Sequence, residues 1–131
     1  MQNSWQQQLI DAALSVRARA YAPYSNFHVG AAVLTEDGEI FSGVNVENAS
    51  YGLTLCAERV AVTTAVASGC RELKAVVVAT SGGHSPCGAC RQVLAEFGGQ
   101  MQVLLVDADN HESVRKFTLD ELLPGQFRLE P

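Results

Sequence analysis

A chain of 131 residues, 47% hydrophobic and 18% charged, is long enough for one sizeable core and most economically forms a single domain over residues 1–131. Its formal charge of −5, with nine Lys and Arg scattered along the chain, provides no basic face to offset the phosphates of a nucleic acid. No segment approaches the roughly 18 consecutive apolar residues of a membrane span, so the expected partner is a small, neutral or weakly charged molecule.

The N-terminal MQNSWQQQLI has neither the basic start nor the apolar stretch of a secretory signal. The cytoplasm is therefore the expected location, and there the four cysteines stay reduced. Trp5, Leu9, Ala12, Ala13, Val16 and Ala20 recur at helical spacing, predicting a helix over 4–20 that a Ser4–Gln7 capping box opens. Pro23 and the Ser25-Asn26 pair break it into a surface loop. Two β-rich runs follow, His28–Thr35 and Glu39–Asn45, joined through Glu36-Asp37-Gly38, whose Asp-Gly step signals a hairpin. NVENASYG then reads as a loop.

The Ala-rich segment 56–68 predicts a buried helix ended by Gly69. Lys74–Thr80 and Gln102–Asp107 are short, continuous apolar runs of the kind covered on both sheet faces. Between them, Gly88–Phe97 predicts a helix stopped by Gly98-Gly99. Ser113–Phe117 is expected at a sheet edge, and Thr118 with Glu121 forms a capping box for one helical turn before Pro124. This order predicts an α/β fold of three layers, α/β/α, with a mixed sheet of about five strands and helices on both faces.

Cys87 and Cys90, in a Pro-Cys-x-x-Cys spacing, stand three apart around a helix start, so both sulfurs reach one side of it. Cys56 also falls at a helix start, and such positions favour thiolates. Three thiolates fit a zinc ion whose fourth corner stays open for water, as in catalytic sites. Glu58, two residues past Cys56, does not face it on a regular helix, but can lean back toward the open corner as a proton carrier. Zinc with three thiolates carries a net negative charge, which weakens its effect on bound water. Arg59 and Arg91 are candidates to offset that charge.

Other readings compete. A lone Cys-x-x-Cys also marks redox pairs and single zinc knuckles. Cys70 as a fourth ligand would close the site and leave Glu58 without a role, so Cys70 is expected in the core or a loop. His84, three residues before Cys87, is a ligand candidate more simply read as solvated, and His28 and His111 rank below it.

Cys-Ala-Glu followed about thirty residues on by Pro-Cys-x-x-Cys resembles the zinc-dependent nucleoside deaminases, in which a glutamate that is not a ligand moves protons. YAPYSNFHVGAAVLTEDGEIFSGVNVENASYGLTLCAER, PCGACRQVL and LLPGQF are similar to the short, free-standing cytidine deaminases, from about Tyr21 to Phe127. The resemblance implies one Zn²⁺ per subunit on Cys56, Cys87 and Cys90, with Glu58 as proton shuttle. It implies Phe27 against the pyrimidine, Asn45 and Glu47 on the ribose hydroxyls, and the Ala57 N–H at the base carbonyl. Arg59 would offset thiolate charge, and Phe127 would reach a neighbouring subunit's site in a homotetramer with sites at subunit interfaces.

The implied reaction is hydrolytic deamination of cytidine and 2′-deoxycytidine to uridine or 2′-deoxyuridine and ammonia, a step of pyrimidine salvage. Leu55 and His28 depart from the family's usual residues. The alternatives are deamination of another aminopyrimidine nucleoside, such as a blasticidin-type antibiotic, and a non-catalytic, zinc-stabilised binding module. The NVEN and LLPGQF segments favour plain cytidine.

Overall fold

Five strands form one sheet in the computed structural model, which describes residues 4–131. They are β1 (Gly30–Thr35), β2 (Ile40–Val44), β3 (Leu73–Thr80), β4 (Gln102–Asp107) and β5 (Asn110–Thr118), in the spatial order β2-β1-β3-β4-β5. Neighbouring strands are antiparallel except β3 and β4, so the sheet is mixed, as expected. The helices are α1 (Ser4–Val16), α2 (Ala57–Ala67), α3 (Gly88–Gly98) and the single turn α4 (Leu119–Leu122). The parallel pair needs a crossover, and α3 supplies it.

Side chains on a strand alternate between faces, and here both faces are apolar. β1 turns Ala31 and Val33 one way and Ala32 and Leu34 the other; β3 and β4 likewise divide Val76, Val78, Val103 and Leu105 from Val77, Ala79, Leu104 and Val106. The first set packs with Ala61, Val62 and Ala65 of α2 and Leu94 of α3. The second packs with Leu9, Ile10 and Ala13 of α1. Three layers result. A Cβ at Gly43 of β2 would stand 2.5 Å from the Ala61 N and 2.7 Å from the Ala57 O. The missing side chain therefore lets the first turn of α2 lie directly on the sheet.

Element ends depart from expectation where distant segments intervene. The helix predicted to residue 20 stops at Val16 and tightens into a 3₁₀ turn, Arg17–Arg19. Tyr21 must be extended to exchange backbone hydrogen bonds with Asn45 and Glu47, at 3.0 and 2.9 Å, and that pairing ends the helix. Ser4 is itself helical, and Gln7 Nε2 donates forward to Asp11 Oδ1 rather than back to a capping partner. α3 ends at the Gly98-Gly99 pair as expected, one residue later than predicted, and a Cβ at Gly98 would stand 2.5 Å from the Leu73 O, so that glycine also allows close approach to β3. β5 is longer than predicted because its ladder with β4 continues to Asn110. The Thr118–Glu121 capping box forms as expected. Among the described residues, no helix is long and apolar enough to cross a membrane.

Candidate functional site

Helices α2 and α3 pack against each other, and their starts meet. Cys56 is the N-cap of α2 and Cys87 the N-cap of α3, both with extended backbone and neither using its sulfur to cap the helix. The Sγ atoms of Cys56, Cys87 and Cys90 all lie within 4.8 Å of one another, and that of Cys87 is 3.5 Å from that of Cys90. Sulfurs bound tetrahedrally at about 2.3 Å from zinc lie about 3.8 Å apart, so the trio is spaced for one such ion. Soft thiolates also select zinc over the hard divalent cations. Cys70 is not part of this trio: its thiol donates to Glu39 Oε2 at 3.2 Å, as its expected core or loop role allows.

The electrostatics favour negative sulfur. The Cys56 thiol is lowered to about 5 because the Cys90 thiol donates to it, with Arg59 adding to the effect against the opposing cost of burial. The Cys90 thiol is correspondingly held far above its ordinary value by its bond to Cys56 and by burial. Arg59 Nη2 lies 3.5 Å from Cys56 Sγ and 3.3 Å from the Thr54 O. Arg59 Nε is buried and without a hydrogen-bond partner among the described residues. A guanidinium committed in this way to the sulfurs offsets the surplus charge that three thiolates place around a dication, so the residues present fit zinc. Arg91, the other candidate, points elsewhere, to Pro86, Ser85 and Leu122.

Glu58 follows in the first turn of α2, only 4% exposed. Burial pushes its carboxyl above the ordinary carboxylate range, and the charge of Cys56 pushes the same way. With Cys56, Ala57 and Cys87 it lines a cavity of about 220 Å³. Ala57 is the first helical residue, whose N–H an α-helix leaves without an internal partner. The site thus sets a buried acid of raised proton affinity and a helix-start N–H beside the sulfurs.

The opposite wall comes from the loop before β1. Asn26 adopts a left-handed conformation, φ 57°, which Asn tolerates, and Phe27 follows at the cavity. Phe27 lies with its ring centroid 6.0 Å from that of His84. Asn45 Oδ1 accepts from the Val29 N–H at 2.9 Å and its Nδ2 donates to the Phe27 O at 2.8 Å. An amide has two donors and two lone pairs, so one of each remains for a ligand. Glu47 lies two residues on, lining an adjoining hollow of about 360 Å³ with Tyr24, Ser25 and Tyr51. Its Oε1 accepts from the Tyr24 and Ser25 N–H groups, and its Oε2 from the Ser25 hydroxyl. The Ser25 bond is the main reason its carboxyl is held below the usual range.

Thr54 borders both hollows, and Thr80, His84 and Ser85 line the first. Of these only His84 carries a signal in the sequence, as a ligand candidate; it stands on the cavity wall, outside the cysteine trio. Ser25 and Thr54 are brought to the site by long-range contacts, among them the pairing of Val46 with Leu55 and of Tyr21 with Val46, which no local pattern announces. Phe127 is 65% exposed and does not line the cavity of its own chain.

The family model for the cytidine and deoxycytidylate deaminase zinc-binding region matches residues 3–106. A cytidine deaminase of Sporosarcina psychrophila is 49% identical over 127 residues, which cover 95% of this chain and 92% of that protein. A cytidine deaminase of Halalkalibacterium halodurans is 46% identical, with 95% of each chain covered. Among solved structures, a cytidine deaminase from Burkholderia pseudomallei superposes with a TM-score of 0.87 at 48% identity, covering 92% of this chain and 98% of that one. One from Mycobacterium tuberculosis does so with a TM-score of 0.82 at 42% identity, covering 98% and 100%. Agreement over nearly the whole length, in sequence and in fold, leaves a plain conclusion: the chain belongs to the cytidine and deoxycytidylate deaminase zinc-binding family.

Proposed function

We propose that this protein hydrolyses the 4-amino group of cytidine and of 2′-deoxycytidine, giving uridine or 2′-deoxyuridine and ammonia, with one Zn²⁺ per subunit. The observation that carries this reading is the meeting of three thiols with a buried Glu58 of raised proton affinity, beside one small cavity that Cys56, Cys87 and Glu58 line. Cys56, Cys87 and Cys90 would hold the zinc, whose chemistry would be to acidify a water for attack on C4 of the ring.

Glu58 would take the proton that the attacking water sheds and give it to ring N3. It would then take the proton of the new C4 hydroxyl and give it to the amine, which leaves as ammonia while C4 becomes the carbonyl. A carboxyl whose affinity for protons is raised by burial is suited to both halves of that cycle. The Ala57 N–H holds the base carbonyl, and Phe27 packs against the ring. Asn45 uses its remaining donor and acceptor on the ribose, beside the Glu47 carboxylate, which Ser25 keeps ionised. Arg59 balances the thiolates.

A homotetramer completes each site with Phe127 of a neighbouring subunit, and the enzyme works in the cytoplasm. Mixing purified protein with cytidine, 2′-deoxycytidine and a blasticidin-type antibiotic, and measuring ammonia, tests the reading. Rapid release from both nucleosides and little from the antibiotic is expected. Release from the antibiotic alone would transfer the substrate assignment, and release from none would leave a zinc-stabilised binding module.

A further inference from the structure

Arg91 stands four residues after Cys87 in α3, and its backbone N–H donates to the Cys87 O at 3.0 Å. Helical side chains lean toward the N-terminus of their helix, so its guanidinium folds back over the turn that carries Cys87. Nε donates to the Pro86 O at 2.8 Å and Nη2 to Ser85 Oγ at 2.7 Å. Nη1 donates to the Leu122 O at 2.6 Å, a carbonyl at the end of α4. Every nitrogen of the fork is used, and two of the three bonds fix the residues just ahead of a metal-binding sulfur.

Ser85, Cys87, Gly88 and Ala89 are exposed, and within the turn only Pro86 is buried. The other ties on the preceding loop end at His84: its N–H donates to Thr80 Oγ1, and Arg115 Nη2 donates to the Gly83 O, each at 2.7 Å. Beyond His84 the Arg91 fork supplies the side-chain hydrogen bonds that tie Ser85 and Pro86 to α3 and to the end of α4, beside the packing of the buried Pro86.

We infer that Arg91 is a positioning residue of the zinc centre, holding the Cys87 turn in register with Cys56 and anchoring it to the C-terminal segment through Leu122. This rests on the zinc-deaminase reading above. Arg59 acts on sulfur charge; Arg91 acts on sulfur position.

The test uses the full-length zinc-loaded protein with Arg91→Ala, Arg91→Lys and Ser85→Ala. Arg17→Ala is the control: Arg17 Nε binds the His28 O at 2.9 Å, which straps a loop that carries no cysteine. Zinc release into a chromogenic chelator and the thiolate-to-metal absorption of the Co²⁺-substituted protein are measured. Arg91→Ala is expected to release zinc about 10- to 100-fold faster than wild type, with altered Co²⁺–thiolate bands.

Arg91→Lys should resemble Arg91→Ala, because a lysine keeps the charge without the three-way fork. Ser85→Ala, which removes one bond, should show a smaller acceleration and decides the matter if Arg91→Ala fails to fold. Arg17→Ala should match wild type. Wild-type release and bands in Arg91→Ala, full rescue by lysine, or no change in Ser85→Ala beside an unfolded Arg91→Ala would each overturn the assignment. Wild-type protein that holds zinc yet leaves cytidine intact sinks the functional reading alone, since the release comparison still judges Arg91. Wild-type protein without zinc sinks both.

Discussion

Burial disfavours the ionised Glu58 carboxylate, and the neighbouring Cys56 thiolate disfavours it further. Its folded pKa is raised above the ordinary 4.5, so its contribution to stability is complete below that value and is lost as pH rises through the folded pKa. Glu58→Gln keeps the shape without the charge. In metal-free protein it should melt higher than wild type at neutral pH, with the gap closing as pH falls toward 4.5. The zinc-loaded variant should keep its metal but lose about 10²- to 10⁴-fold in turnover. Turnover near the wild-type rate would contradict the proton role.

Cys56 moves the other way, with a thiol lowered to about 5. Its alkylation in metal-free protein should half-titrate near that pH and shift upward in Arg59→Ala, whereas Cys70, raised by Glu39, reacts only in alkaline solution. An unshifted profile would remove Arg59 from the charge balance. The cysteines and Glu58 were legible in sequence because short spacings on predicted helices place them. The task of Arg91 was not, since the Leu122 carbonyl it reaches lies 31 residues away.

At the scale of elements, the two helix starts decide where the sulfurs meet, and Gly43 sets how deeply one of them sits. Gly43→Val forces side-chain atoms into the Ala57 and Ala61 backbone, an overpacking that costs about 1–3 kcal/mol. It should also lower zinc occupancy, because lifting α2 carries Cys56 away from Cys87. Leu94→Ala, in the core, should cost about 2–5 kcal/mol by cavity formation yet leave folded molecules fully loaded. Urea denaturation with metal analysis separates the two, and equal occupancy would deny Gly43 its role. The hairpin, the covered strands and both site helices follow from hydrophobic periodicity and turn residues. The early end of α1 does not, because it is fixed by Tyr21 pairing with a segment more than twenty residues away.

For the whole molecule, Tyr51 at 79%, Leu53 at 67% and Phe127 at 65% exposure are large side chains left in water. The proposed homotetramer would cover such surface. Sedimentation should give four copies, and Phe127→Ala should raise KM for cytidine about 2- to 10-fold, the worth of one aromatic contact. A monomer with unchanged KM would refute the shared site. Most direct of all is titration of metal-free protein with Zn²⁺ while the ultraviolet absorbance of cytidine is followed. Activity should climb linearly and break at one zinc per chain, and Glu58→Ala should take up the same single equivalent without turnover. Full activity before any zinc is added, or turnover in Glu58→Ala, would contradict a mechanism built on three sulfurs and one carboxyl.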